Sequence, residues 1–203
     1  MPTNVVFAGV GGQGVLLSCR LLLQAAQDEG HDVKGSEVHG MAQRGGSVDG
    51  HVRFGHDVAS PVIRAGSASY LVCFELLEAA RALPCLAAGG TLLCAEIRID
   101  PAPVAAGEAD YPGEVAAWLS GAVEHALILD ARTALRESGI PLRCVNVFML
   151  GALSAHLDFA EPTWERAMRA LVKPRHIEPN LQAFALGRDA AVREIAQHAR
   201  SGG

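Results

Sequence analysis

Several features that would place this 203-residue chain in a common functional class are missing from its sequence. Lys and Arg total 17 against 22 Asp and Glu and are scattered, so there is no basic footprint for a polyanion, and we expect no nucleic-acid partner. The apolar stretch Leu16–Leu23 is interrupted by Ser18, Cys19 and Arg20. No stretch reaches the roughly 20 apolar residues that span a bilayer, so we expect no membrane partner either.

The cysteine pattern also excludes several chemistries. The cysteines are odd in number and widely spaced, and none forms a C-x-x-C pair: Cys19, Cys73, Cys85, Cys94 and Cys144. Iron–sulfur clusters need several thiolates close together, so we expect none here. Reduced, mostly buried thiols and the absence of a signal peptide after Met1 favour a cytoplasmic location. Nucleophile and zinc motifs are missing too, since Ser47 lacks a G-x-S-x-G elbow and no H-E-x-x-H pair occurs.

The hydrophobic pattern alternates between strands and helices over the first two thirds of the chain. We predict strands at 4–9, 31–38, 50–54, 70–73, 91–95 and 126–130, and helices at 15–26, 74–83 and 114–124. Gly40–Gly50 is predicted to be an ordered loop, and Gly55-His56-Asp57 the turn of a hairpin. Residues 99–113 are predicted to loop out.

From Ala131 onward the pattern becomes helical. We predict helices at 131–138, 144–157 and 162–172, and a last helix opened by Pro179. The fold class that follows is α/β: a three-layer α/β/α, Rossmann-like domain with a mostly parallel, mixed sheet and a helical C-terminal part. The length predicts a single domain over residues 1–203.

A glycine-rich turn follows the first strand and opens the first helix. Its residues Gly9, Gly11, Gly12, Gln13 and Gly14 satisfy G-x-G-x-x-G, so its N–H groups and the helix dipole can receive an anion. Glu37 lies near the offset of a ribose-binding acid in a dinucleotide fold. Three interpretations stay open: a dinucleotide site, glycines that serve turn geometry alone, and another anion site or an interface loop.

A second motif, Ser36-Glu37-Val38-His39-Gly40-Met41-Ala42-Gln43-Arg44-Gly45-Gly46-Ser47-Val48, is more specific. Together with Gly9–Gly14 it resembles the gamma-type domain of 2-oxoacid:ferredoxin oxidoreductases, and especially the beta subunit of the indolepyruvate enzyme. The likeness covers nearly the whole chain through short pieces at Phe74-Glu75, Gly89-Gly90, Tyr111-Pro112, Asn146, Leu150–Leu153, Glu178–Asn180, Ala183-Phe184 and Gly187. One departure is Asp49-Gly50, where small or apolar residues are expected and where a carboxylate would partly offset a positive loop charge.

The resemblance implies a subunit of a coenzyme A-dependent enzyme that oxidatively decarboxylates a 2-oxoacid, with ferredoxin as electron acceptor. Such a chain binds no cofactor alone, because thiamine diphosphate, magnesium and the iron–sulfur clusters belong to a large partner subunit. Coenzyme A is a co-substrate. Ferredoxin is reached through the complex, and without the large subunit the chain is expected to be inactive. The isolated chain is also expected to be able to form a homodimer through its unpartnered apolar surface.

For the second motif we expect a loop at the subunit interface, with Arg44 meeting an anionic group and Gly45-Gly46 permitting close approach, or a solvated loop in which Arg44 has no ligand. His39 is more typical of a hydrogen-bonded structural residue than of a general base. Glu75 either points into the crevice at the carboxyl ends of the strands or interacts with its own helix dipole. Asn146 is either a partner-facing polar residue or a satisfied core amide.

Two further functional hypotheses remain. A stand-alone NAD(P)- or FAD-binding oxidoreductase predicts a stoichiometric bound dinucleotide and Glu37 at its ribose. A non-catalytic interaction module predicts an exposed apolar patch without a ligand.

Overall fold

The computed structural model describes residues 2–39 and 46–201, and only the backbone at 37–39, 198–199 and 201. Its sheet has six strands in the order β2-β3-β1-β4-β5-β6. The strands are β1 (Thr3–Val10), β2 (Asp32–His39), β3 (Ser47–Gly55), β4 (Ala68–Cys73), β5 (Leu86–Ala95) and β6 (His125–Leu129). The helices are α1 (Val15–Asp28), α2 (Leu76–Ala82), α3 (Ala102–Ala105), α4 (Val115–Ala122), α5 (Ala131–Glu137), α6 (Val145–Ser154), α7 (Glu161–Leu171) and α8 (Ile177–Ser201).

The sheet is mixed because one strand runs against its neighbours. Strands β1, β4, β5 and β6 are parallel, whereas β3 is antiparallel to both β1 and β2. Strand β2 is therefore parallel to β1, as the predicted β-α-β unit requires, but β3 lies between them. The predicted mostly parallel, mixed sheet with helices on both faces is confirmed.

The predicted hairpin turn at residues 55–57 is wrong. No strand follows in residues 56–67, where Pro61 lacks an N–H group and other backbone donors are satisfied by side chains. The Val58 N–H donates to Asp32 Oδ2 at 2.9 Å, and the Ile63 N–H donates to His51 Nδ1 at 3.3 Å. The antiparallel hairpin is formed by β2 and β3 instead, so the predicted loop at 40–50 is wrong from Ser47 onward.

The alternation of side chains along the strands builds two cores. From β1, Val5 and Phe7 join the larger core beneath α1, α5, α6, α7 and α8, while Val6 and Ala8 join the smaller core beneath α2 and α4. In β3, Gly50 leaves room for the Cys19 thiol of α1, because a Cβ at this position would collide with Sγ. The glycine of the Asp49-Gly50 pair is thus explained by helix packing.

Helices α6 and α8 cross at backbone contact. A Cβ on Gly151 would collide with the Phe184 carbonyl oxygen, and a Cβ on Gly187 would collide with the Phe148 carbonyl oxygen. The two glycines are thus reciprocal, each admitting the backbone of the other helix. All ten residues of α6 are buried, so the crossing lies in the centre of the helical layer.

Helix α8 is the longest helix, with 25 residues, yet it is not uniformly apolar. Arg188, Asp189, Arg193 and Glu194 interrupt it, and beyond Ala191 most of its described side chains are exposed. In the described ranges, no helix has the length and apolar character needed to cross a membrane.

Candidate functional site at the carboxyl edge of the sheet

The glycine-rich turn is held by the side chain of its own glutamine. Gln13 Oε1 accepts from the Val10 N–H at 2.7 Å, and Gln13 Nε2 donates to the Phe74 carbonyl oxygen at 2.8 Å. Gly12 and Gly14 have φ values of 103° and 87°, a left-handed region that side chains with a Cβ rarely adopt. The turn is therefore fixed between the ends of β1 and β4, and its conformation requires glycine at two positions.

Asn146 of α6 packs against the glycine-rich turn at Gly14. It is only 3% exposed, and its Nδ2 donates to the Gly14 carbonyl oxygen at 3.2 Å. A Cβ on Gly14 would lie 2.6 Å from Asn146 Nδ2, so the two residues are matched in size. This bond and the burial fit a satisfied core amide, while contact of Asn146 with a partner stays a prediction.

The end of the second motif, Gly46-Ser47, contacts the glycine-rich turn and the last residue of β1. The Gly11 N–H donates to the Gly46 carbonyl oxygen at 2.8 Å, and Ser47 opposes Val10 in the sheet register. Ser36 lies in β2, opposite His51 of β3. Met41, Arg44 and Gly45 lie outside the described residues, and so do the side chains of Glu37 and His39. The roles predicted for them therefore stay predictions.

A groove of about 310 Å³ opens beside the glycine-rich turn. Its basic side chains come from two other segments: Arg143 precedes α6, and Lys173 and His176 follow α7. None of its described lining residues is acidic, although the whole chain carries a net charge of -5. The groove therefore lies beside the N-terminus of α1 and is lined by positive side chains, while the Gly11 and Gln13 N–H groups of the turn donate to carbonyl oxygens of the protein itself.

The pKa of His176 is affected by burial and by the basic side chains around it. Desolvation, followed by the charges of Arg175, Arg143 and Lys173, lowers the pKa of His176 below its ordinary value. Arg175 Nε also donates to His176 Nε2 at 3.1 Å, a bond that requires that nitrogen to be unprotonated. The groove thus places His176 beside the basic side chains of Arg143 and Lys173.

Arg143, Lys173 and His176 were not among the residues predicted from the sequence. They lie about 130 residues or more from the glycine-rich turn and approach it only through the packing of α6 and α7 against α1. One signal is visible in hindsight. Lys173-Pro174-Arg175-His176 concentrates basic residues in a chain that otherwise scatters them.

Glu75 caps a helix instead of lining this groove. It is 1% exposed, and its Oε2 accepts from the Glu78 N–H at 2.8 Å as the N-cap of α2. Its Oε1 accepts from the Ile99 N–H at 3.2 Å and from the Tyr111 hydroxyl at 2.7 Å. The two segments noted for family likeness, Phe74-Glu75 and Tyr111-Pro112, are thus joined by a hydrogen bond.

Asp49 lies within β3, opposite Ala8 of β1, on the face of the sheet that carries α2. Partial burial raises its pKa, and the nearby charge of Glu78 raises it further, while His51 opposes both effects. Its electrostatic neighbours are therefore Glu78 and His51. Arg44, whose charge Asp49 was expected to offset, lies outside the described residues.

Known proteins are similar to this chain in sequence and in fold. The family model described as pyruvate ferredoxin/flavodoxin oxidoreductase matches residues 4–190, and the chain belongs to this family. It is 37% identical over 195 residues to the indolepyruvate oxidoreductase subunit IorB of Thermococcus kodakarensis, covering 93% of this chain and 95% of that protein. The resemblance inferred from the two motifs is confirmed.

Two solved structures share the fold at lower identity. The gamma subunit of a keto/oxoacid ferredoxin oxidoreductase from Geobacter sulfurreducens matches with a TM-score of 0.69 and 22% identity, over 94% of this chain and 99% of that one. A 2-oxoglutarate:ferredoxin oxidoreductase from Magnetococcus marinus, solved with 2-oxoglutarate, coenzyme A and succinyl-CoA bound, matches with a TM-score of 0.71 and 18% identity. This chain covers 31% of that longer chain and is itself covered to 95%.

Proposed function

We propose that this chain is the smaller subunit of a 2-oxoacid:ferredoxin oxidoreductase that converts indolepyruvate or another aryl pyruvate to its acyl-CoA, releasing carbon dioxide and reducing ferredoxin. The observation that carries the proposal is the similarity over nearly the full length to a subunit named for indolepyruvate. Ferredoxin would be reached through the complex, and the chain alone would be inactive.

The redox cofactors are proposed to belong to the larger subunit because the cysteines of this chain do not fit an iron–sulfur cluster. Cys73 and Cys94 lie side by side in β4 and β5 but are fully buried, and burial is the first cause that raises the pKa of each thiol. Cluster ligation requires thiolates, which such a site disfavours. Among the side chains that the structure describes, no three of His, Cys, Asp or Glu are grouped to hold a metal ion.

The basic groove is proposed to receive an anionic part of coenzyme A. Phosphate groups are bound at helix N-termini and by Arg and Lys side chains, and the groove lies at the N-terminus of α1 and is lined by Arg143 and Lys173. Its volume of about 310 Å³ suits a phosphate or diphosphate moiety and not the whole molecule. The remainder of coenzyme A would then extend toward the larger subunit.

The rim of the groove supports contact with such a partner. Leu142 precedes Arg143 in the sequence and is 41% exposed, and Leu171 lines the groove and is 40% exposed. Apolar side chains that remain exposed at this rim are available for contact with a partner surface. The same surface is proposed to support a homodimer of the isolated chain.

A stand-alone dinucleotide enzyme is the second candidate, favoured by the G-x-G-x-x-G turn. The strand order weakens it. In dinucleotide folds the strand that carries the ribose-binding acid lies directly beside the first strand. Here β3 separates β2, which carries Glu37, from β1, adding one strand spacing of about 4.8 Å. The interaction module, the third hypothesis, gives no reason for cations to gather at the turn.

The proposal can be tested by co-expressing the chain with its candidate larger subunit and purifying through a tag on this chain alone. Coenzyme A-dependent reduction of a viologen dye would be assayed with indolepyruvate, phenylpyruvate, pyruvate and 2-oxoglutarate, with each subunit alone as control. We expect activity only in the complex, and with an aryl pyruvate as the best substrate. Failure to co-purify, together with a retained NAD(P) or FAD, would refute the proposal.

A further inference from the structure

The connection between β5 and α4 is unusually long for this fold. Residues 96–114 form it and contain the single helical turn α3, whereas most such connections in α/β units have about 2–6 residues. It leaves the sheet at the carboxyl edge, the same edge that carries the glycine-rich turn, and most of its residues are exposed. We call residues 96–114 the edge connection.

A single buried carboxylate closes the base of the edge connection. Glu75 Oε1 accepts from the Ile99 N–H near its start and from the Tyr111 hydroxyl near its end. The Arg98 guanidinium stacks over the Tyr111 ring at 4.3 Å and pairs with Asp100, so side chains also join the start of the edge connection to its end. Burial and the bond to Glu75 both raise the pKa of Tyr111, which keeps its hydroxyl protonated as a donor.

The dipeptide Phe74-Glu75 also holds the glycine-rich turn, through the main chain of Phe74. The residue before Glu75 offers its carbonyl oxygen to Gln13 Nε2, and its N–H donates to the Ala8 carbonyl oxygen at 3.0 Å. A carboxylate that is 1% exposed is costly unless its oxygens are bonded, and here both are. Phe74-Glu75 therefore connects the wall of the groove to the edge connection through backbone on one side and side chain on the other.

We propose that Glu75 is a positioning residue that fixes the edge connection relative to the glycine-rich turn, so that both are presented together to the larger subunit. This inference rests on the proposed function. Because Glu75 is only 1% exposed, its role is exerted through its bonds to Tyr111 and Ile99.

The first variant is Tyr111→Phe, which removes one donor and keeps the ring under Arg98. Tyr70→Phe is the matched control, because Tyr70 makes one hydrogen bond, to the His156 carbonyl oxygen at 3.2 Å, at the opposite end of β4. Since a buried hydrogen bond to a Glu75 carboxyl oxygen is lost, we expect cleavage by a glutamate-specific protease at the exposed Glu108 to rise roughly tenfold over wild type and control. Equal cleavage in the three proteins would overturn the inference.

The second measurement is assembly. We expect Tyr111→Phe to raise the Kd for the larger subunit by roughly tenfold, while kcat at a saturating concentration of that subunit stays within about twofold of wild type. Glu75→Gln, which keeps one acceptor oxygen, should be intermediate between wild type and Glu75→Ala. A variant that only destabilised the fold would lower the active fraction and leave the Kd unchanged.

The two proposals fail differently. A wild-type chain that does not assemble with the larger subunit contradicts the proposed function, whatever the variants do. A wild-type chain that assembles, with Tyr111→Phe assembling at the same Kd, leaves the proposed function intact and overturns the role of Glu75.

Discussion

Two pairs of glycines in this molecule have different structural roles. Gly12 and Gly14 have positive φ values and shape a turn that faces a groove. Gly151 and Gly187 have ordinary helical conformations but admit the backbone of a crossing helix. The first pair is required by conformation at a surface, the second by volume in a core. A glycine in the sequence therefore indicates a site only when its conformation and its surroundings are both known.

The largest expected effect separates the core pair from an indifferent helical glycine. Gly187→Ala or Gly151→Ala should lower the free energy of unfolding by about 3 kcal/mol or more, because the new Cβ meets main-chain atoms that cannot rotate away. Gly121→Ala in α4 is the matched control, since nothing lies within 4 Å of its Cβ position. That control should be neutral or stabilising by up to about 1 kcal/mol. Urea unfolding of the isolated chain measures all three, and equal midpoints would show that the helices do not cross as closely as described.

Gly14→Ala should have an intermediate effect. Its left-handed φ of 87° disfavours a Cβ, and that Cβ also approaches Asn146 Nδ2, so we expect a loss of about 2–3 kcal/mol. The double variant Gly14→Ala with Asn146→Ala should lose less than the sum of the single changes, because the steric part is relieved. Strict additivity in the unfolding free energies would contradict the matched sizes of the two residues.

Gly12→Ala should change stability least, by about 1 kcal/mol, since its Cβ points into open space and only the φ of 103° opposes it. Because that open space borders the groove, the change should be seen in function. We expect a higher KM for coenzyme A in the assembled enzyme and an unchanged KM for the 2-oxoacid. An unchanged KM for coenzyme A would indicate that the turn is only structural.

The parts of the fold that depend on local pattern were predictable from the sequence. The strand, turn and helix at residues 3–28 follow from an apolar run, glycines and helical spacing, and they are observed. The position of β3 was not predictable in this way, because its partners are set by the register with β1 and β2 and not by a local turn signal. The misplaced hairpin at residues 55–57 is the consequence.

The candidate site divides similarly. Gln13 and the glycines could be named from a motif, whereas Arg143 and Lys173 reach the turn only through the packing of distant helices. Glu75 and Tyr111 were noticed separately, and nothing in the spacing of residues 75 and 111 predicts their hydrogen bond. Long-range pairs of this kind depend on the tertiary fold, which single-sequence patterns do not contain.

The most direct test of the account is a coenzyme A titration of the assembled enzyme in which Arg143 and Lys173 are both replaced by Ala. The control is Arg64→Ala, which removes an exposed cation near Asn4 and Ser67, at the opposite end of the sheet. If the basic groove binds an anionic part of coenzyme A, the KM for coenzyme A rises roughly tenfold or more in the double variant, while the KM for the 2-oxoacid and subunit assembly are unchanged. A double variant with the KM values of wild type would contradict the assignment of the groove.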